Sequence, residues 1–157
     1  METLTEQILH PWLARMIGDW TYESECHMPD GTTSRSTGSD SVRALGGIWV
    51  LAESEGGMGC GDGRTQLCLG FQTEEQKFVG TFIGSMMPQL WIYQGQLEDE
   101  GKLVLDTEGP SFLGKGRARY QDILRWTGDN EREMSSQILN EQGAWVPFMT
   151  LRYRRKT

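Results

Sequence analysis

Two histidines, three cysteines and a run of closely spaced glycines are the features of this 157-residue chain that first invite a chemical reading. His10 stands before Pro11, and His27 closes a run of alternating residue types. A transition-metal site needs three or four ligands at short recurring spacings, and no third ligand accompanies the pair. Cys26, Cys60 and Cys68 have neither metal nor redox spacing, and none has an evident basic partner to favour a thiolate. Cys60 and Cys68 could be joined across a hairpin; otherwise reduced thiols and a cytoplasmic setting are the expectation. Ser85 has no Gly-x-Ser-x-Gly elbow around it and no histidine placed to act as its base. The series Gly57-Met58-Gly59-Cys60-Gly61-Asp62-Gly63 lacks the Lys-Ser/Thr pair of a phosphate loop and leads into a strand. It reads as a mobile hairpin over Gly56–Gly63. No catalytic set, metal or cofactor is therefore expected.

Acidic and aromatic residues are more informative. Glu53 and Glu55 share one face of a strand, opposite Val50, Ala52 and Ser54, and read as solvated. Asp106 and Glu108 share another face. Glu108, just before Gly109-Pro110 and facing Arg117 or Arg119, is a candidate to hold a polar head at a barrel mouth. Phe82, Met86, Met87, Trp91, Tyr93, Tyr120, Phe148, Met149 and Tyr153 supply bulky apolar or amphipathic groups from several strands. Aromatic walls with adaptable methionines suit a cavity for a small ligand. The expected pocket is Phe82, Ser85, Met86, Met87, Trp91, Tyr93, Glu108, Tyr120 and Met149, holding a small apolar or amphipathic molecule. Two alternatives stay open: an enzyme using Glu108, Ser85 or Tyr120 as acid–base groups in the same cavity, and a filled barrel acting as a structural or oligomerising module.

These residues must be positioned by strands. Only Thr5 to Met16 carries a helical period, with Ile8, Trp12 and Met16 four apart, Leu9 and Leu13 beside them, and Thr5 as a candidate cap. Pro11 implies a helix start or a break there, and Gly18 ends the pattern. The rest predicts ten strands, at about 19–28, 33–45, 48–55, 64–72, 77–85, 90–98, 102–108, 116–127, 131–140 and 144–154. Turn chemistry such as Pro29-Asp30-Gly31, Gly46-Gly47 and Gly128-Asp129-Asn130 separates them. Connections this short allow only antiparallel neighbours. Ten such strands leave no edge exposed if the sheet closes on itself, so the fold class is all-β. It is one domain over 1–157, an up-and-down barrel at about 18–155 after a helix at about 5–16. If Trp20 points inward, Tyr22, Ser24 and Cys26 go with it.

The net charge of −7 and pI of about 4.8 disfavour nucleic acid as a partner, which needs a basic face. The basic cluster Arg152, Arg154, Arg155 and Lys156 reads as a last strand with a solvated tail. No stretch reaches the ~20 apolar residues of a membrane helix, and the N-terminus does not read as a secretory signal. A homodimer is left open.

Gly18-Asp19-Trp20, after a short helix and at the start of the first strand, resembles the Gly-x-Trp signature of lipocalins and related calycins. That resemblance implies that Trp20 closes one barrel end and that Arg152 or Arg154 packs across its indole. More specifically, the chain resembles the bacterial domain-of-unknown-function family 1579, which is grouped with calycins. The resemblance runs through His10-Pro11-Trp12-Leu13, Gly18-Asp19-Trp20, Arg43-x-Leu45-Gly46-Gly47, Leu69-Gly70-Phe71, Gly80 to Met87, Thr107-Glu108-Gly109-Pro110 and Tyr153-Arg154-Arg155. Many relatives read Trp-x-Asp-Ser where this chain has Phe82-Ile83-Gly84-Ser85, so a role tied to that acid does not carry over. The haem of the related nitrobindins hangs on a histidine in the C-terminal half, and no histidine follows His27. The resemblance thus implies a calycin barrel, with no haem and no established activity.

Overall fold

In the computed structural model, which describes residues 9–57, 62–99 and 101–156, ten strands follow one short helix. The helix α1 spans Pro11–Ala14. The strands are β1 Gly18–His27, β2 Thr33–Leu45, β3 Trp49–Gly57, β4 Asp62–Gln72 and β5 Lys77–Gly84, then β6 Met87–Asp99, β7 Lys102–Pro110, β8 Arg117–Gly128, β9 Glu131–Leu139 and β10 Trp145–Arg155. Each pairs antiparallel with its sequence neighbours, and β1 pairs with both β2 and β10, so the sheet is a closed barrel. Strand β6 begins at Met87, earlier than the predicted 90, because Met87 already pairs with Gly84 across the Ser85–Met86 turn.

The predicted helix at 5–16 is shorter among the described residues; Thr5 and Ile8 lie outside them. Pro11 has no N–H to give and so takes the first helical turn, where none is needed. His10 is the N-cap: the Trp12 N–H donates to His10 Nδ1 at 3.1 Å. Its ring packs against Phe71 and Phe78. Trp12, Leu13 and Met16 are buried against the barrel core.

On β1, burial alternates so that Trp20, Tyr22, Ser24 and Cys26 face inward. Trp20 is fully buried, donates its indole N–H to the Met16 carbonyl at 2.9 Å and lies 5.9 Å from Trp126. Its face is covered by Arg155, 4.2 Å from the ring, and by Arg132, at 4.6 Å. Neither Arg152 nor Arg154 fills that place, as the resemblance had implied. On β10 the inward positions are Leu151 and Tyr153, so Arg152 and Arg154 point out, within 3.8 Å of Glu133 and 3.2 Å of Glu131. Arg155 shares the inward parity. Its guanidinium also donates to the Ile17 and Arg15 carbonyls and to Asn130 Oδ1, tying the last strand to the helix segment. Gly18, at φ +138°, makes this possible, since a Cβ there would lie 2.5 Å from Arg155 Nη1. Helix, Trp12, Trp20, Trp126 and Arg155 together close one end.

Candidate functional site

Above this closed end the barrel holds a cavity of about 260 Å³. It lies toward the opposite end, where the turns β5–β6, β7–β8 and β9–β10 sit. The β3–β4 hairpin expected to cover it is at the same end, but its tip, residues 58–61, lies outside the described residues, and with it Cys60 and any pairing to Cys68.

Of the residues predicted for the pocket, Phe82, Met86, Met87, Trp91, Tyr93, Tyr120 and Met149 line one cavity. Trp91 packs edge-on against Tyr120 at 5.1 Å and donates its indole N–H to Met87 Sδ at 3.3 Å. Gly109 on the next strand leaves room for that indole, because a Cβ there would strike the ring. Phe148 and Phe112 complete an aromatic rim, with centroids 4.9 Å apart. Phe112 comes from the 111–116 connection, where the sequence offered no period to place it.

Ser85 and Glu108 do not line the cavity, which corrects both expectations. Ser85 sits in the β5–β6 turn, where its Oγ accepts from the Arg64 N–H at 2.9 Å. On β7 Leu103, Leu105 and Thr107 face inward, so Asp106 and Glu108 face out by the two-residue period. Glu108 is exposed, 3.6 Å from Arg117. The Tyr120 hydroxyl donates to the Pro110 carbonyl at 2.5 Å, and burial raises its pKa. Of the suggested acid–base groups Glu108, Ser85 and Tyr120, Tyr120 alone lines this cavity.

Deeper in, the lining is polar, and most of it escaped the sequence reading. Asp40 and Arg132 form a buried ion pair at 2.6 Å, and Ser54 Oγ donates to Asp40 at 2.7 Å. Arg132 lies 3.8 Å over the Tyr153 ring. Asp122 accepts from Ser136 at 2.5 Å and from the Tyr93 hydroxyl. Burial raises the pKa of Tyr93 well above its usual value, with the Asp122 charge second, and raises that of Tyr153, with Asp40 second. Both hydroxyls stay protonated. Asp122 was legible from alternation alone, since Tyr120, Asp122 and Leu124 share one parity. Arg132 follows in the same way from Met134, Ser136 and Ile138. Among the described residues, no group of three His, Cys, Asp or Glu side chains is arranged to hold a metal ion.

Burial raises the pKa of the Asp122 carboxyl, outweighing the hydrogen bonds from Ser136 and Tyr93 that lower it. A carboxyl whose folded pKa lies above its unfolded value favours folding most below the unfolded pKa. That contribution is lost as pH rises through the folded pKa. The stability difference between the wild type and Asp122→Asn is accordingly expected to shift in favour of the variant as pH rises from the acid range toward neutrality. Urea titrations of both proteins across that range check this; a difference that does not change with pH would contradict it.

The sequence matches the model of a family described as a protein of unknown function, DUF1579, over residues 5–155. The chain belongs to this family. No curated protein matches it. Among solved structures, the DUF1579 barrel resembles Rv2717c from M. tuberculosis, with a TM-score of 0.63 at 10% identity, covering 95% of this chain and 99% of that one. It also resembles the S-type phycobiliprotein lyase CPES from Guillardia theta, with a TM-score of 0.59 at 16% identity, covering 93% of this chain and 91% of that one. At these identities the likeness of the DUF1579 chain to both is one of fold. No helix among the described residues is long and apolar enough to cross a membrane.

Proposed function

We propose that this barrel binds a small apolar or amphipathic molecule in its interior. The observation that carries the reading is the cavity of about 260 Å³, walled by Phe82, Trp91, Tyr120, Phe148 and four methionines in a barrel whose other end is plugged. A filled structural barrel would have no reason to leave that space, since voids forfeit dispersion contacts and destabilise the fold. Thioethers at the strand ends can adapt to a guest, and aromatic rings offer large area at little entropic cost. The same reading keeps the protein in the cytoplasm, where its thiols stay reduced.

Calorimetric titration with butylbenzene tests it. Saturable binding at one site is expected, with Kd of about 10–1,000 μM for a ligand of this size. Trp91→Ala and Met87→Ala are each expected to weaken it several-fold by removing wall area. The absence of saturable binding would overturn the reading.

A further inference from the structure

The hydrogen-bond balance of the cavity identifies the polar end of the ligand. Buried donors and acceptors in folded proteins are almost always paired, so the unpaired ones are informative. Here each carboxylate oxygen already accepts once: Asp40 receives Arg132 and Ser54, and Asp122 receives Ser136 and Tyr93. Two donors are left over. The Thr107 hydroxyl, on β7 opposite Tyr120, is buried with no partner. Arg132 is only 6% exposed and gives one Nη to Asp40, yet its Nε–H has no partner either. Both residues line the cavity. Each lacks an acceptor, Thr107 beside Tyr120 at the aromatic rim and Arg132 further along the barrel, opposite Trp126.

The charges present decide which kind. A carboxylate head would enter beside two buried carboxyl groups, Asp40 and Asp122, with a single guanidinium that is already paired. An ammonium head carries donors only, so it would supply no acceptor to the Thr107 hydroxyl or the Arg132 Nε–H. An uncharged carbonyl meets neither objection. Resting on the reading of the barrel as a ligand-binding cavity, we propose that its ligand class is a small molecule with an apolar body and a neutral carbonyl head, such as an amide or ketone. The carbonyl oxygen accepts from the Thr107 hydroxyl. The body packs against Trp91, Tyr120 and Phe148. A cavity somewhat under the roughly 300–1,000 Å³ of drug-sized pockets limits the whole molecule to on the order of a dozen heavy atoms.

Calorimetry near neutral pH with four probes that share one body tests this: 4-phenylbutanamide, 4-phenylbutanoate, 4-phenylbutylammonium and butylbenzene. The amide is expected to bind tightest, by about tenfold over either charged probe. Thr107→Val, which keeps the shape and removes the hydroxyl, is expected to cut the amide's advantage over butylbenzene by about fivefold. The same variant should not lower the Tm of the ligand-free protein, because the hydroxyl it removes has no partner there; a hydroxyl that served only the fold would show the reverse. Equal or tighter binding of the carboxylate or the ammonium would overturn the proposal, as would an amide advantage that survives Thr107→Val or a Tm that falls in that variant. Butylbenzene binding with no gain for the amide would sink the carbonyl assignment and leave the cavity reading standing. If not even butylbenzene binds, both fall.

Discussion

Trp20→Ala is expected to lower the unfolding free energy by about 3–5 kcal/mol, the range for removing a large aromatic from a closed core. The site cannot collapse easily. The indole is fully buried, carries the Met16 carbonyl on its N–H, leans on Trp126 and has the guanidinium groups of Arg132 and Arg155 over its ring. Its loss leaves a cavity at the plugged end and strips an aromatic face from two guanidinium groups, one of them buried. Chemical denaturation monitored by circular dichroism measures the effect. A midpoint within error of the wild type would show that the plug does not hold the barrel shut.

Asp40→Ala is expected to cost a similar amount, about 3–5 kcal/mol, for a different reason. Asp40 and Arg132 are 3% and 6% exposed, so removing the carboxylate leaves a guanidinium charge in a low-dielectric interior and takes the acceptor from Ser54. The attraction itself is not the main term, since a buried pair gives back in Coulomb energy about what its desolvation costs. The double variant Asp40→Leu with Arg132→Met is therefore expected to recover most of the loss. Equilibrium unfolding of the single and double variants separates the two cases. A double variant as unstable as the single would mean that the pair is worth far more than its desolvation.

The strand plan was legible because its signals are local. Turn residues such as Asp30-Gly31 and Gly128-Asp129-Asn130 stand at the strand ends, and alternation on β1 ties Tyr22, Ser24 and Cys26 to the face that Trp20 takes, which is the inner one. Short connections then left antiparallel closure as the economical topology. The aromatic half of the cavity followed from bulky residues on several strands. Its polar half did not, because residue type gives no reason to place Asp40, Asp122 or Arg132 inside and strand parity alone does not say which face is inward. On β9 the parity that buries Ser136 and Ile138 also carries Arg132 inside, where its charge meets Asp40, 92 residues away in sequence. A partner that distant leaves no local trace. Glu108 shows the converse: it was drawn inward by its motif and its neighbouring arginines, while the two-residue period of β7 sends it out and Thr107 in. Arg155 in place of Arg152 or Arg154 is the same lesson at the other end, where a single step along β10 decides which guanidinium covers Trp20.

The binding claim is tested most directly by following the indole N–H resonances of the six tryptophans while butylbenzene is added. Trp91 lines the cavity, and its N–H rests on Met87, a residue of the same wall. Trp12, Trp20 and Trp126 pack together at the plugged end. A ligand seated in the barrel interior should shift the Trp91 resonance saturably, with the three plug tryptophans moving far less. Resonances that do not move, or that all drift together without saturation, would contradict the account.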